Sequence, residues 1–534
     1  MDCNENNQFG CLPIEILIEI FKYLTFDDIQ SASLACRQWM LASEYEEFHK
    51  KLVLRFSKII LSDLLTPAKT FMNSTRSFPN VIFEEIAVEN CKKFLKNIGE
   101  NGVRSITFHS QQLTSKEFCY ILENLIELRE LKITETSKIL KDENFLIDSN
   151  DINKIRPIIN NLKSIKISVP TPEIYSIQRL CSLINGGLEE FEINFEFSYH
   201  LNDTKIVGNV LRQIIYENAA TLKKLSLKHI VDTNDFISSI TVFNNFYLTS
   251  LRCIDVSPWR SLIIFISTQN TLKELDLSYS DQVTDAHIKL LVKFIINLEK
   301  LILAKCINLS DRSLYAIDET LKKLRVLDIS KCDRMTCYAV NETIVAKRNL
   351  KMKELFLSGM EINTSCIVKL CRNLPNLKVL DLSHCMGINN GTVQRIIMEL
   401  DELNYLNLEG CKLISDFALT GLNIETNKEE GFSIGRLKHL QYLNIKGCKL
   451  ITDISFIKNI KLVELKTLCL PNIAICASDI KLLSTNCPSI VNLDLSECQT
   501  MENVDKVMDA FNYFKRLRNF QFYKFQIDFM CAVK

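Results

Sequence analysis

The sequence predicts an α/β protein: a curved solenoid with parallel strands inside and helices outside, preceded by a small all-α three-helix head. Three observations carry that expectation. Apolar residues spaced L-x-x-L-x-L recur from about residue 100 to the end. Hydroxyl and acidic residues follow the copies at a fixed distance, where a helix would start. The first 50 residues lack the pattern and carry apolar residues at helical spacing instead.

The strands come first. Clear copies are Leu272-Leu275-Leu277, Leu298-Leu301-Leu303, Leu324-Leu327-Ile329, Met352-Leu355-Leu357 and Leu377-Leu380-Leu382. Leu403-Leu406-Leu408, Leu440-Leu443-Ile445, Leu465-Leu468-Leu470 and Ile490-Leu493-Leu495 continue the series. Weaker copies start at Val103, Leu128, Leu162, Leu188, Leu222, Leu251 and Leu517, for about 16 repeats, and Phe83-Ile86-Val88 is a further degenerate candidate. The spacing is 26 residues from Leu272 to Leu298 and again to Leu324, the period and motif of leucine-rich repeats. Positions four and six alternate with polar residues, so one strand face is buried. A single unit has no core, whereas stacked units share one.

Helix starts follow. Twelve residues after the first repeat residue stand Thr284, Ser310, Thr336, Thr364, Ser415 and Thr452, with Asp at 285, 311, 416 and 453. Such side chains can accept from the free N–H groups of a helix's first turn. Ile288, Leu291 and Ile295 then recur at helical spacing.

The chain has 20 cysteines. Cys306, Cys332, Cys385, Cys411, Cys448 and Cys498 each lie eight residues after the first repeat residue, with Ser280, Met360 and Ile473 in that slot elsewhere. A small apolar side chain suits a tight interior column there. A metal or disulfide ladder is the rival, but there is no C-x-x-C and the seven His are scattered. No cofactor or metal is expected. The stretch Gly421–Arg436 overruns the period and reads as a surface loop.

Charge excludes some partners. Lys+Arg and Asp+Glu balance at 64 each, which favours neither nucleic acid nor an anionic membrane. The start, MDCNENNQFG, has no basic or apolar leader, and no run is long enough to span a bilayer. The expectation is an intracellular protein, cytoplasmic or nuclear, with reduced thiols. No phosphate-cradling Gly loop, H-E-x-x-H or G-x-S-x-G is present. In the repeat frame Cys385 points inward and His384 outward, so that pair is no nucleophile and base.

The head carries more apolar surface than so short a segment can bury. In residues 12–24, LPIEILIEIFKYL, Leu17, Ile20, Phe21 and Leu24 form one stripe, and Ile16, Ile20 and Tyr23 a second. Helices near Asp28–Ala35 and Arg37–Phe48 can cover one face, leaving the other for a partner. Leu12-Pro13, Ile20-Phe21, Leu24, Asp28-Ile29, Ser33-Leu34, Cys36-Arg37 and Trp39 resemble an F-box, with Ala35 and Phe48 as departures from the family's usual Val and Trp. The repeats resemble the cysteine-containing leucine-rich class that often follows an F-box. The resemblance implies a non-catalytic substrate receptor of an SCF-type cullin–RING ubiquitin ligase, docked on a Skp-type adaptor through Leu12, Pro13, Ile16, Ile20, Phe21, Leu24, Leu34 and Trp39. The other class left open is a repeat scaffold or ligand sensor with an F-box function outside degradation. The implied layout is a flexible 1–8, the F-box at 9–50, a helical connector and cap at 51–100, and the solenoid at 101–534.

Substrate recognition belongs on the concave strand positions. The residue between the second and third repeat leucines runs Asp255, Asp276, Ile302, Asp328, Phe356, Asp381, Asn407, Asn444, Cys469 and Asp494. This acidic column invites a basic ligand, but L-D-L-S is common leucine-rich repeat phrasing and Asp is at home on a solvated strand surface, which is the preferred reading; the apolar exceptions Ile302 and Phe356 are more informative. Tyr405 and Tyr442 share a slot in successive units, so their rings should be neighbours, with Phe356 roughly 10 Å along the surface. With Ile302, Asp381 and Lys446 they are the candidate substrate contacts, and Glu409 lies on their flank.

Overall fold

The computed structural model describes residues 12–24, 26–49, 53–58, 60–61, 78–88, 92–100, 102–109, 113–134, 140, 145–169, 174–195, 204–231, 246–257, 259–423, 428–452, 461–499, 504–522 and 525–528. The N-terminal stretch 1–8, Asp453 and part of the 421–436 stretch lie outside them.

In the head, α1 (Ile14–Phe21), α2 (Phe26–Ser33) and α3 (Arg37–Ser43) pack around Leu17, Phe21, Ile29 and Ala42. Leu12, Leu24, Trp39 and Phe48 close over that core. Pro13 is the N-cap of α1. The expected third helix is broken: α3 stops at Ser43, whose hydroxyl turns back to the Met40 carbonyl at 2.6 Å, and a short helix resumes at Glu46–His49.

The backbone divides into two compact units, Met1–Leu248 with Val256–Phe265, which includes the head, and Thr249–Asp255 with Ile266–Lys534. Each contains a solenoid of parallel strands joined through helices. In the first unit the strands run Val53–Ser57, Asn80–Glu84, Ser105–His109, Glu130–Thr134, Ser164–Val169, Glu190–Phe195 and Lys224–Val231, each paired in parallel with the next. The expected helical connector at 51–100 is therefore corrected: it contributes two repeat strands as well as the helix Lys92–Glu100. Its pattern is Phe78, Val81 and Phe83, not the Phe83-Ile86-Val88 reading, because Val81 pairs with Ile106 and Phe83 with Phe108. Phenylalanines replace leucines in this core. Ring centroids lie 5.6 Å apart for Phe56–Phe83, 6.0 Å for Phe83–Phe108 and 5.3 Å for Phe108–Phe118.

In the second unit the strands shorten to three residues in most repeats. They follow Ser250–Ser257 in order: Glu274–Asp276, Lys300–Ile302, Val326–Asp328, Glu354–Phe356, Val379–Asp381, Tyr405–Asn407, Tyr442–Asn444, Thr467–Cys469, Asn492–Leu495 and Asn519–Phe522. The central leucines Leu275, Leu301, Leu327, Leu355, Leu380 and Leu406 are in register and buried. The copy expected to start at Leu251 starts at Leu248, since Leu251 pairs with Leu275. The antiparallel strand Phe525–Asp528 covers the last parallel edge.

The cysteine column is an interior ladder. Cys306, Cys332, Cys385, Cys411 and Cys448 are fully buried, and each thiol donates to a leucine carbonyl of the preceding repeat at 3.1–3.2 Å. The residue before this slot is left-handed in successive repeats: Tyr279, Lys305, Lys331, Gly359, His384, Gly410 and Gly447. That turn sends the chain from the strand into the loop. Burial pushes the thiols of Cys332, Cys385 and Cys411 up to about 12. All three should therefore alkylate slowly in native protein at pH 8 and rapidly after denaturation, read by mass spectrometry. Rapid native labelling of all three would contradict the register.

Ser310, Thr336 and Ser415 stand at helix N-caps as expected, but Asn363 takes that position in place of Thr364. The following carboxylates act differently from the expectation: they reach into the next repeat. Asp285 accepts from the Ser310 N–H at 2.8 Å, the Ser310 hydroxyl at 2.6 Å and the Ser313 hydroxyl at 2.5 Å. Asp311 accepts from the Thr336 N–H at 2.6 Å and its hydroxyl at 2.8 Å. These bonds tie neighbouring repeats together along the helix starts. Burial disfavours the Asp285 anion, but its bonds to Ser310 and Ser313 outweigh that and hold the carboxyl below its usual range. The resulting stability is present above the ordinary carboxylate range and is lost as pH falls through the lower folded value. Asp285→Ala should cost about 1–3 kcal/mol at neutral pH in denaturant unfolding, and less in acid. An equal cost at pH 7 and pH 2 would contradict this assignment.

Candidate functional site: the helical head and the open strand face

The head presents the apolar stripe that its core does not use. Leu17 and Phe21 point inward, while Ile16 and Ile20 on the same helix are 47% and 43% exposed. Tyr23 and Leu34 are more open, at 89% and 85%. Met40 and Leu41 on α3 are exposed as well. Phe21 is a correction to the docking set: it is fully buried, with its ring 5.6 Å from Trp39 and 6.2 Å from Phe48. Leu12, Leu24 and Trp39 are half-buried against the same core. Pro13 is exposed, and the Leu12 carbonyl accepts from Gln38 Nε2 at 2.6 Å, which fixes the chain's entry into α1. Of the expected docking set, Pro13, Ile16, Ile20 and Leu34 are exposed on the folded head, and Tyr23 lies open beside them.

The strand face of the second unit is built from two registered columns. One is Asp276, Ile302, Asp328, Phe356, Asp381, Asn407, Asn444, Cys469 and Asp494. The other, two residues earlier in each strand, includes Lys300, Val326, Glu354, Val379, Tyr405 and Tyr442. Tyr405 and Tyr442 stack with centroids 4.1 Å apart and planes 9° from parallel. Burial and the adjoining Tyr442 ring hold the Tyr405 phenol above its ordinary range. Phe356 is in register with Asp381 and Asn407, not with the tyrosines, so the aromatic strip runs diagonally across the two columns.

The Asp/Asn column has a local structural task. Asp276, Asp328, Asp381, Asn407, Asn444 and Asp494 each accept the backbone N–H two residues on, at 2.8–3.1 Å, closing the turn after the strand. Asp255 does not belong to the column: it has a φ of 51°, and Arg252 is the residue paired with Asp276. Arg252 Nε lies 2.9 Å from Asp276 Oδ2, a pairing that the slipped register concealed. At the other end Lys446 Nζ donates to Asp494 at 3.1 Å and to the Ser496 hydroxyl at 2.7 Å. Lys446 is therefore committed to an internal pair. Burial disfavours the Asp494 anion, but bonds from Ser496 and Lys446 leave the carboxyl below its usual range. Glu409 accepts from Asn444 Nδ2 at 2.9 Å beside the tyrosine pair.

Gln394 was not singled out from the sequence, yet it fastens the overrunning stretch. Its amide nitrogen donates to the Ala418 carbonyl at 3.0 Å and the Phe432 carbonyl at 2.8 Å, and its oxygen accepts from the Phe432 N–H at 2.6 Å. Its own sequence position shows no motif. The stretch contains a two-stranded antiparallel pair, Leu422–Asn423 with Lys428–Glu429. His384 is exposed and Cys385 buried, so they share no site. Among the described residues no His, Cys, Asp and Glu side chains are grouped to hold a metal ion, and no helix is long and apolar enough to cross a membrane.

Comparison with known proteins identifies the head. Residues 9–55 match the F-box-like family, so the chain carries an F-box-like domain ahead of its repeat units. A similar solved structure is the crystal structure of the Rad7 and Elc1 complex in yeast. The match has 17% sequence identity, covers 78% of this chain and 96% of that one, and has a TM-score of 0.48.

Proposed function

We propose that this chain is the substrate-recognition subunit of an SCF-type cullin–RING ubiquitin ligase, acting in the cytoplasm or nucleus. The F-box-like head docks a Skp-type adaptor, and the repeat units hold a protein substrate for ubiquitination and proteasomal degradation. The observation that carries this reading is the F-box-like head with Ile16 and Ile20 exposed on α1, whose other side already fills a core, and Tyr23 exposed in the turn just after it. An apolar stripe of this kind fits a partner's groove. The chain's own contribution is positioning: it holds a substrate lysine near chemistry performed by other subunits.

The test is proximity labelling in cells with and without proteasome inhibition, comparing the intact chain with an Ile20→Lys chain. Proteins that accumulate on inhibition should be labelled by both chains, but should rise in ubiquitination only with the intact one. A labelled set whose ubiquitination is the same for both chains contradicts the proposal.

A further inference from the structure

The strand face of the second unit carries two carboxylates, Asp328 and Asp381, that are held by neutral donors, among them Asn407 Nδ2 at 2.9 Å from Asp381 Oδ2, and not by a cation. The turn-closing slot is filled by Asp at 328 and 381 and by Asn at 407 and 444, and the Asn side chains close the turn equally, at 3.1 Å and 3.0 Å. A carboxylate is therefore not required for the turn. Elsewhere in the column the charge is answered internally, Asp276 by Arg252 and Asp494 by Lys446. Among the described residues no cation pairs with Asp328 or Asp381. Within the strands themselves Lys300 stands against Asp328, Glu354 and Asp381, so the charge next to Phe356 is locally negative.

Phe356 sits between these two carboxylates in register, one strand from each. Neighbouring strands lie about 4.8 Å apart, so both carboxylates are within reach of one group resting on that ring. Ile302 lies on the far side of Asp328, and the stacked Tyr405 and Tyr442 lie beyond Asp381. Burial and the charges of Asp381 and Asp276 also raise Asp328 above the usual carboxylate range, although its bonds to Ser330 oppose the shift. A cation arriving there relieves that repulsion.

The geometry points to an arginine-bearing extended segment of the protein substrate as the occupant of this face, its guanidinium lying on Phe356 between Asp328 and Asp381 and its flanking apolar residue on the Tyr405–Tyr442 pair. This deepens the substrate-receptor reading and rests on it for the segment's origin. Arginine suits the place because its planar cation stacks on an aromatic ring and donates to carboxylates on either side. Stacked, half-buried aromatics supply the apolar anchor.

The test uses the purified full chain without adaptor. It is offered a randomised nonapeptide library, and the best selected peptide is then titrated as its arginine form and as the neutral citrulline form. Arginine should be enriched at one position, and citrulline there should weaken binding at least tenfold. Asp328→Asn with Asp381→Asn should bring the arginine peptide to the citrulline level, and both turns keep their backbone bond in that variant. Tyr405→Ala with Tyr442→Ala should weaken both peptides alike. An empty selection, no arginine enrichment, equal binding of the two forms, or an arginine preference that survives the double Asn variant overturns the inference. Loss of adaptor binding would leave this assay unchanged, so failure of the ligase reading and failure of this one are told apart.

Discussion

Ile20→Lys should abolish capture of a Skp-type adaptor while the head stays folded. Ile20 is 43% exposed in the free chain, so a lysine there extends into water and disturbs no core. On docking, the same ammonium would be enclosed among apolar side chains with no partner. An uncompensated buried charge costs on the order of 3–5 kcal/mol, roughly a hundredfold or more in affinity. Capture should be measured with purified adaptor, and folding by hydrogen exchange over residues 12–49. Undiminished capture by the folded variant would remove α1 from the docking surface.

Phe21→Ala should also abolish capture, by a different route. Phe21 is fully buried and packs on Trp39 and Phe48, one position along the helix from an exposed residue. Truncating a buried Phe costs about 3–5 kcal/mol, and a head of this size has little stability to lose. The amides of α1–α3 should then exchange fast while those of the repeat strands stay protected, because solenoid contacts are between neighbours. If the head keeps its protection and still loses the adaptor, Phe21 is a contact residue after all. The pair of variants thus separates a docking residue from a core residue that sequence alone placed in one stripe.

That stripe shows where the sequence was legible and where it was not. Period identified α1, but a helix apolar on two sides does not say which side its own core takes. Contacts from Ile29 and Ala42, far along the chain, decide it. In the second unit the leucines repeat at nearly constant spacing and register follows directly, so the Tyr405–Tyr442 contact was foreseeable. In the first unit Phe83, Phe108 and Phe191 replace leucine, strands lengthen, and intervals vary. Pattern spacing therefore slips by five residues at Phe83 and misses the repeat at Val53–Ser57, and it slips by three at Leu251, in the first strand of the second unit. The slip at Leu251 hid Arg252 and with it the neutralisation of Asp276. Cross-repeat bonds such as those of Asp285 were hidden for another reason. A residue at a helix start looks like a local cap until its neighbour one repeat on is placed beside it.

The central claim is that the head joins the repeats to a ligase, and affinity purification of the intact chain from cells tests it most directly. The account predicts that a Skp-type adaptor and a cullin are recovered together with the intact chain and that both are lost with Ile20→Lys. Recovery of the adaptor without any cullin, or of neither protein with the intact chain, would contradict it.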